Sequence, residues 1–164
     1  MKKSVLSVLG IVLLLTGIVI NLSKNSEKKL QETITTYQDH ESYDGKKYPL
    51  GLFTKEHYES EANFATELLN QLEKINIDDL NENDLISYKL LKFELNDIID
   101  YFYFERYLNP LLSDSGFHSS LNYMVRPLSS YKKTLEYLNK LNSLPDFVDQ
   151  NLINIRAGLE KGVS

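Results

Sequence analysis

The sequence predicts an all-α protein: an N-terminal transmembrane or signal helix, followed by an incomplete helical domain of about five helices. Two observations predict this class. From Ser26 onward, apolar residues recur every three or four positions, and the strict alternation of a half-buried strand is almost absent. Before that point, residues 5–22 form an apolar run without a charged side chain.

The composition fits one folded domain and excludes several kinds of chemistry. The chain has 164 residues, of which 42% are hydrophobic and 25% are charged, as in ordinary globular proteins. Because the chain has no Cys, disulfides, thiolate zinc sites, iron–sulfur clusters and a Cys nucleophile are excluded. Its net charge is −5, and every acidic residue follows residue 23. We therefore expect no nucleic-acid partner, since phosphate binding needs clustered Lys and Arg.

Residues 1–25 are predicted to export or anchor the domain formed by residues 26–164. Lys2 and Lys3 precede the apolar run, which is longer than a usual signal-peptide core, and its exit lacks the small residues that precede signal-peptidase cleavage. We expect an uncleaved single-span anchor in the cell membrane, with residues 24–164 outside the cell. Lysines beyond the run weaken the positive-inside bias. The alternative is that the N-terminal segment is cleaved as a signal peptide and that the domain is secreted.

The first two helices of the domain are amphipathic segments. One places Leu30, Ile34 and Tyr37 on a single face, and turn-rich sequence at residues 39–51 follows it as a loop or lid. The other starts at Thr54, whose hydroxyl can cap a helix. Its apolar stripe consists of Tyr58, Ala62, Ala65, Leu69 and Leu72.

A longer helix is predicted from about residue 84 to residue 108, where Pro110 ends it. Five of the seven residues from Tyr101 to Tyr107 are aromatic, so that rings project in nearly every direction. This pattern is compatible with a packed core whose Tyr hydroxyls reach water. It is equally compatible with a face that another protein, or a missing part of the chain, covers. The inward stripe of this helix consists of Tyr88, Leu91, Leu95, Ile98 and Phe102.

Two further helices follow the loop at residues 109–127. Ser129 or Ser130 caps the first, and the second starts near Ser143, where Ser-Leu-Pro-Asp offers a capping box, and ends at Gly162. The inward residues of the first helix are Tyr131, Leu135, Leu138 and Leu141. Those of the second helix are Val148, Leu152, Ile155 and Leu159.

Candidate catalytic and metal-binding residues are few. A zincin helix needs two His one turn apart, but the segment Glu56–Glu59 contains only His57, and His40 lies in loop sequence. We interpret both as surface side chains. Glu94 and Asp97 share a helix face, where a solvated stripe is commoner than an acid–base pair or cation site. We therefore assign no catalytic and no metal-binding residue.

The segment Ser115–Ser120 is the most interesting candidate binding loop. Gly116 permits close backbone approach to a ligand, and His118 beside two hydroxyls can orient a polar group. The alternative is a helix-terminating turn. In that case Gly116 supplies a positive φ, and His118 or Ser119 caps the next segment of the chain.

Three stretches, residues 63–99, 107–121 and 131–162, resemble the N-terminal part of the bacterial family catalogued as domain of unknown function 885. They contain, in order, a Leu…Asp-x-x-Ser-Tyr…Glu-Leu helix, a Pro-Leu…Gly-x-His loop and a Leu-Pro…Asp-Gln…Arg-x-Gly pair of helices. The resemblance implies a longer, mostly helical, often exported or membrane-associated protein. Members carry a later His-Glu…Pro-Gly-His segment similar to those of helical zinc peptidases, which this sequence lacks.

The resemblance implies that the chain is the membrane-anchored N-terminal helical portion of such a protein, without the catalytic half and inactive alone. Zinc would belong to a full-length form, and no cofactor is expected in this chain. Gly116, Phe117 and His118 would line the far wall of a substrate cleft. The expected partners are the membrane, through residues 5–22, and the missing C-terminal half or another protein. The alternative is a complete, anchored, all-helical interaction module that binds a partner through its aromatic surface.

Overall fold

The computed structural model describes residues 24–111, 116–121 and 128–163, and all regular structure within these ranges is helical. This confirms the all-α prediction for the described part of the chain. Single turns of 3-10 helix lie at Ile77–Asp79 and Arg106–Leu108. The α-helices are α1 (24–38), α2 (Lys55–Leu72), α3 (Glu82–Tyr103), α4 (Phe117–Ser120), α5 (Tyr131–Asn142) and α6 (Leu144–Lys161).

In the described ranges, no helix combines the length and the apolar character that crossing a bilayer requires. The predicted anchor, residues 5–22, lies outside the described residues.

Of the described residues, 24–40 and 65–96 form the first of two compact units. The Ser26 hydroxyl donates a hydrogen bond to the Asp79 carboxylate (3.2 Å), and the Asn81 amide donates one to Glu27 (3.3 Å). These bonds tie α1 to the connection between α2 and α3. The buried apolar side chains of this unit are Leu30, Ala65, Leu68, Leu72, Ile75, Tyr88, Leu91 and Leu95.

The predicted stripe of α2 is correct in part. Ala62, Ala65 and Leu72 are buried, whereas Tyr58 and Leu69 are half-buried, and Leu68, which was not predicted, is buried. Both leucines fit a helical spacing of three and four residues, so the sequence alone did not show which of the two is buried.

Of the described residues, 41–64, 97–111, 116–121 and 128–163 form the second unit. The backbone N–H of His57 donates to the Thr54 hydroxyl (3.2 Å), which confirms Thr54 as the cap of α2. The buried side chains of this unit include two amides as well as apolar groups. They are Ala62, Tyr107, Leu108, Phe147, Asn151 and Asn154.

The third predicted helix ends earlier than expected. α3 stops at Tyr103, and Glu105 adopts a left-handed conformation (φ 51°) before the 3-10 turn begins. The change of chain direction at Glu105 brings Tyr107 into the core, where it is buried. A helix that continued to residue 108 would instead carry Tyr107 away from the core along the helix axis. Tyr103 and Phe104 stay exposed. The aromatic segment therefore supplies core packing at one end and exposed rings at the other.

The predicted inward face of α5 is wrong. Ser130 caps the helix by accepting from the Lys133 backbone N–H (3.3 Å), as predicted. Its half-buried side, however, consists of Thr134, Tyr137 and Leu141. Of the four residues predicted to face inward, only Leu141 lies on that side. The other three, Tyr131, Leu135 and Leu138, are exposed.

The predicted inward face of α6 is correct only in part. Gly162 ends the helix in a left-handed conformation, as predicted, but the capping box does not form, because the Ser143 hydroxyl donates instead to the Asn139 carbonyl (2.9 Å). Of the predicted stripe, Val148, Leu152 and Ile155 are half-buried and Leu159 is exposed. The buried residues of α6 are Phe147, Asn151, Asn154 and Gly158.

Candidate binding site

The second unit contains a largely apolar cavity of about 610 Å³. We call it the aromatic cavity, because aromatic rings contribute much of its lining. We refer to Phe53, Phe117 and Phe147 as the phenylalanine wall, and to Tyr58, Tyr101 and Phe104 as the tyrosine wall.

The phenylalanine wall depends on two amide side chains of α6. The backbone N–H of Phe53 donates to the Gln150 side-chain oxygen (2.7 Å), and the Phe53 carbonyl accepts from the Asn154 amide (2.8 Å). α6 thus satisfies both backbone groups of an irregular segment, as a neighbouring strand would. Phe147 packs edge-on against Phe53 at 5.1 Å between ring centroids and lies 5.8 Å from Phe117.

The tyrosine wall depends on a stack of rings. Tyr58 stacks on the buried Tyr107 ring at 5.0 Å and lies 5.4 Å from the Tyr101 ring. The Tyr58 hydroxyl donates a hydrogen bond to the Tyr101 hydroxyl. Burial and this contact raise the pKa of Tyr58, and burial also raises the pKa of Tyr101. Both phenols are therefore neutral at physiological pH and present apolar ring faces.

The charged groups of the cavity lie at its rim. The Arg106 guanidinium lies 5.1 Å above the Tyr101 ring, a cation–π geometry. It also donates to the Asp97 carboxylate (2.7 Å) and the Asp97 carbonyl (2.8 Å). Glu105 forms an ion pair with Lys161. Deeper in the wall, the buried Asn151 amide donates to the Phe147 carbonyl (2.8 Å).

The structure brings two of the three predicted site residues to the aromatic cavity. Gly116 and Phe117 line it, while His118 is exposed and is not among the lining residues. The backbone N–H of Phe117 donates to the Pro110 carbonyl (3.0 Å), which holds the loop against the cavity. Gly116 precedes α4 with φ −69°, so the alternative in which it supplies a positive φ is wrong.

The other singled-out residues do not converge. His57 is half-buried and contacts Tyr43 edge-on at 5.8 Å, and His40 is half-buried elsewhere. Glu94 and Asp97 are exposed, and Asp97 is paired with Arg106. Among the described residues, no three His, Cys, Asp or Glu side chains lie close enough together to hold a metal ion.

Sequence reasoning missed most of this site. Phe53 lies between the predicted loop at residues 39–51 and the predicted cap Thr54, where no role was predicted. Asn151 and Asn154 are polar, so the apolar pattern left them out of the predicted inward face of α6. One signal could have identified that face: residues 147, 151, 154 and 158 have the spacing of one helical face and end on a glycine.

Comparison of the chain with protein-family models, with curated proteins and with solved structures finds no match. The resemblance to domain of unknown function 885 therefore stays a prediction from the sequence.

Proposed function

We propose that this chain is the membrane-anchored N-terminal helical portion of a protein similar to domain of unknown function 885, without activity of its own. In this proposal the aromatic cavity is one wall of a substrate cleft and binds an apolar or aromatic side chain of a peptide-like substrate. The observation that carries the proposal is the cavity itself, lined by rings from four separate segments of the second unit.

The size and lining of the cavity support a small apolar ligand. A volume of about 610 Å³ lies within the roughly 300–1,000 Å³ typical of ligand pockets. The Tyr58 hydroxyl and the Asn151 amide already donate to protein acceptors, so the interior offers apolar faces. Arg106 has five N–H donors, and those not used by Asp97 can bind a ligand carbonyl or carboxylate at the rim.

Exposed rings support a second candidate function, an interaction module that binds a protein partner. Tyr103 and Phe104 are exposed and pack edge-on against each other at 5.1 Å. In a module of this kind, these two rings would contact the protein partner. Tyr103→Ser would then abolish partner capture.

Single-tryptophan variants test the proposed cavity function, because the chain has no Trp. In the full chain in detergent, Phe117→Trp places a reporter in the cavity wall, and Phe93→Trp, at an exposed position of the first unit, is the control outside it. We expect N-acetyl-phenylalanine amide to change the emission of Phe117→Trp saturably and to leave Phe93→Trp unchanged.

Two controls define which results would contradict this function. N-acetyl-glycine amide lacks the ring and should not saturate Phe117→Trp. Equal responses of the two variants, or no response of Phe117→Trp to the phenylalanine derivative, would contradict a ligand site in the cavity.

A further inference from the structure

The side-chain oxygen of Asn151 has no hydrogen-bond partner among the described residues. Asn151 is only 1% exposed, and its side-chain nitrogen donates to the Phe147 carbonyl (2.8 Å). This carbonyl fixes the orientation of the amide, because a carbonyl can accept from the amide nitrogen but cannot donate to the amide oxygen. The unpartnered atom is therefore an acceptor on a side chain that is otherwise enclosed.

This oxygen opens into the aromatic cavity. Within the described residues, every fully buried side-chain nitrogen or oxygen has a hydrogen-bond partner, so the unpartnered oxygen of Asn151 must border open space. The open space that Asn151 lines is the aromatic cavity. Phe147 lies one turn earlier on the same face of α6 and lines the same cavity. A ligand ring packed against Phe147 would therefore have its edge beside the oxygen.

An aromatic ring without a polar hydrogen would leave this oxygen unsatisfied. In the empty cavity, water can donate to it. A phenylalanine ring would displace that water without replacing its hydrogen bond, which lowers affinity. A ring that carries an O–H or N–H group replaces the lost donor, and a site that offers such a buried acceptor discriminates against ligands that lack the donor.

We propose that the aromatic cavity selects an aromatic side chain that carries a hydrogen-bond donor, that of tyrosine or tryptophan, and that the Asn151 oxygen accepts this hydrogen bond. The inference rests on the proposed function, because it names the side chains that the same cavity binds best. Arg106 at the rim would contact a carbonyl or carboxylate that all amino acids share, so it does not provide this selectivity.

Calorimetric titration of the wild-type full chain in detergent tests the proposal. The ligands are the N-acetyl amides of tyrosine, tryptophan, phenylalanine and O-methyl-tyrosine. The last of these keeps the ring and the oxygen of tyrosine but has no hydrogen to donate. We expect the tyrosine or the tryptophan derivative to bind roughly tenfold more tightly than the phenylalanine derivative, as one added hydrogen bond implies. The O-methyl-tyrosine derivative should bind no more tightly than the phenylalanine derivative.

Two variants assign the selectivity to Asn151. Asn151→Leu removes the acceptor with little change in volume, and it should reduce the tenfold preference to none while the phenylalanine derivative still binds. Asn154→Leu is the matched control, because it removes a second buried amide of α6 that does not line the aromatic cavity. It should keep the preference. The ratio of two dissociation constants is compared in each protein, so a general loss of affinity does not imitate the effect, and the wild-type ligand series tests the proposal even if a variant fails to fold.

Three results would overturn the proposal, and they distinguish it from the proposed function. Equal affinity for all the derivatives means that the cavity binds aromatic rings without the proposed selection. A preference for tyrosine or tryptophan that persists in Asn151→Leu means that another group accepts the hydrogen bond. Binding of none of the ligands contradicts the proposed function itself, and the selectivity is then refuted with it.

Discussion

Gly158 of α6 is a position where one added methyl group should destabilise the second unit. A Cβ at this position would lie 2.6 Å from the Leu108 carbonyl oxygen and 3.3 Å from the Leu108 Cβ. Leu108 belongs to the 3-10 turn that follows the left-handed Glu105. Glycine at residue 158 thus lets this turn approach α6 closely.

The size of the effect of Gly158→Ala follows from two opposed contributions. The nearest atom is backbone, so no rotamer change relieves the clash, and α6 and the turn must separate to reach ordinary contacts of about 3.5 Å. Overpacking costs roughly 1–3 kcal/mol, and a clash that only backbone movement relieves should lie in the upper half of that range, at about 2–3 kcal/mol. Alanine is favoured over glycine in a helix by about 1 kcal/mol. We therefore expect a net loss of roughly 1–2 kcal/mol in the free energy of unfolding.

Urea unfolding followed by circular dichroism measures this loss. The thermal midpoint should fall by roughly 2–8 °C, and amide hydrogen exchange should accelerate in the second unit. Gly45→Ala is the control, because nothing lies within 4 Å of a Cβ at Gly45, and its effect should stay within about 0.5 kcal/mol. A Gly158→Ala protein as stable as the wild type would refute this reasoning, because the close approach would then impose no constraint.

Three further predictions concern side chains of the second unit. Asn154→Ala leaves the Phe53 carbonyl without its donor at 2.8 Å and should cost about 1–3 kcal/mol in urea unfolding; an unchanged midpoint would contradict the structural role of this amide. Thr54→Ala removes the cap of α2 and should cost about 1 kcal/mol in the same assay, whereas Thr54→Ser should restore most of it. Because the folded state raises the pKa of Tyr58, its stabilising contribution is complete below the unfolded value of about 10 and is lost as pH rises through the folded value. Tyr58→Phe should therefore flatten the fall in unfolding free energy above pH of about 10, and an unaltered slope would count against a buried, hydrogen-bonded phenol.

Local signals in the sequence were enough to locate most of the helices. Thr54 and Ser130 cap helices, and Gly162 ends one, as their residue types predict. These signals act over three or four residues and depend little on the rest of the fold.

The inward faces of α5 and α6 depend on contacts that no local pattern contains. Asn154 is buried because it donates to Phe53, which is 101 positions away in the chain. The apolar face of α5 obeys the same spacing as a core helix, yet it is exposed. Glu105, which follows the end of α3, has a positive φ that glutamate seldom adopts. No Gly or Asn marks this position, so the sequence did not predict that the helix ends there.

The candidate site was predicted only in part for the same reason. The sequence singled out the loop that contains Gly116 and Phe117, and both residues line the cavity. The remaining rings come from positions around 53, 58, 101 and 147, and only the tertiary fold brings them together. His118 looked chemically attractive, yet it is exposed.

The most direct test of the account is to observe the phenylalanine rings of the wild-type full chain while N-acetyl-phenylalanine amide is added. The chain has seven Phe, so selective labelling gives a simple aromatic NMR spectrum that single Phe→Leu variants assign. We predict that the signals of Phe53, Phe117 and Phe147 shift together and saturate. The signal of Phe93, which is exposed in the first unit, should not move. No shift in the three cavity rings, or an equal shift of Phe93, would contradict the claim that the aromatic cavity binds an apolar side chain.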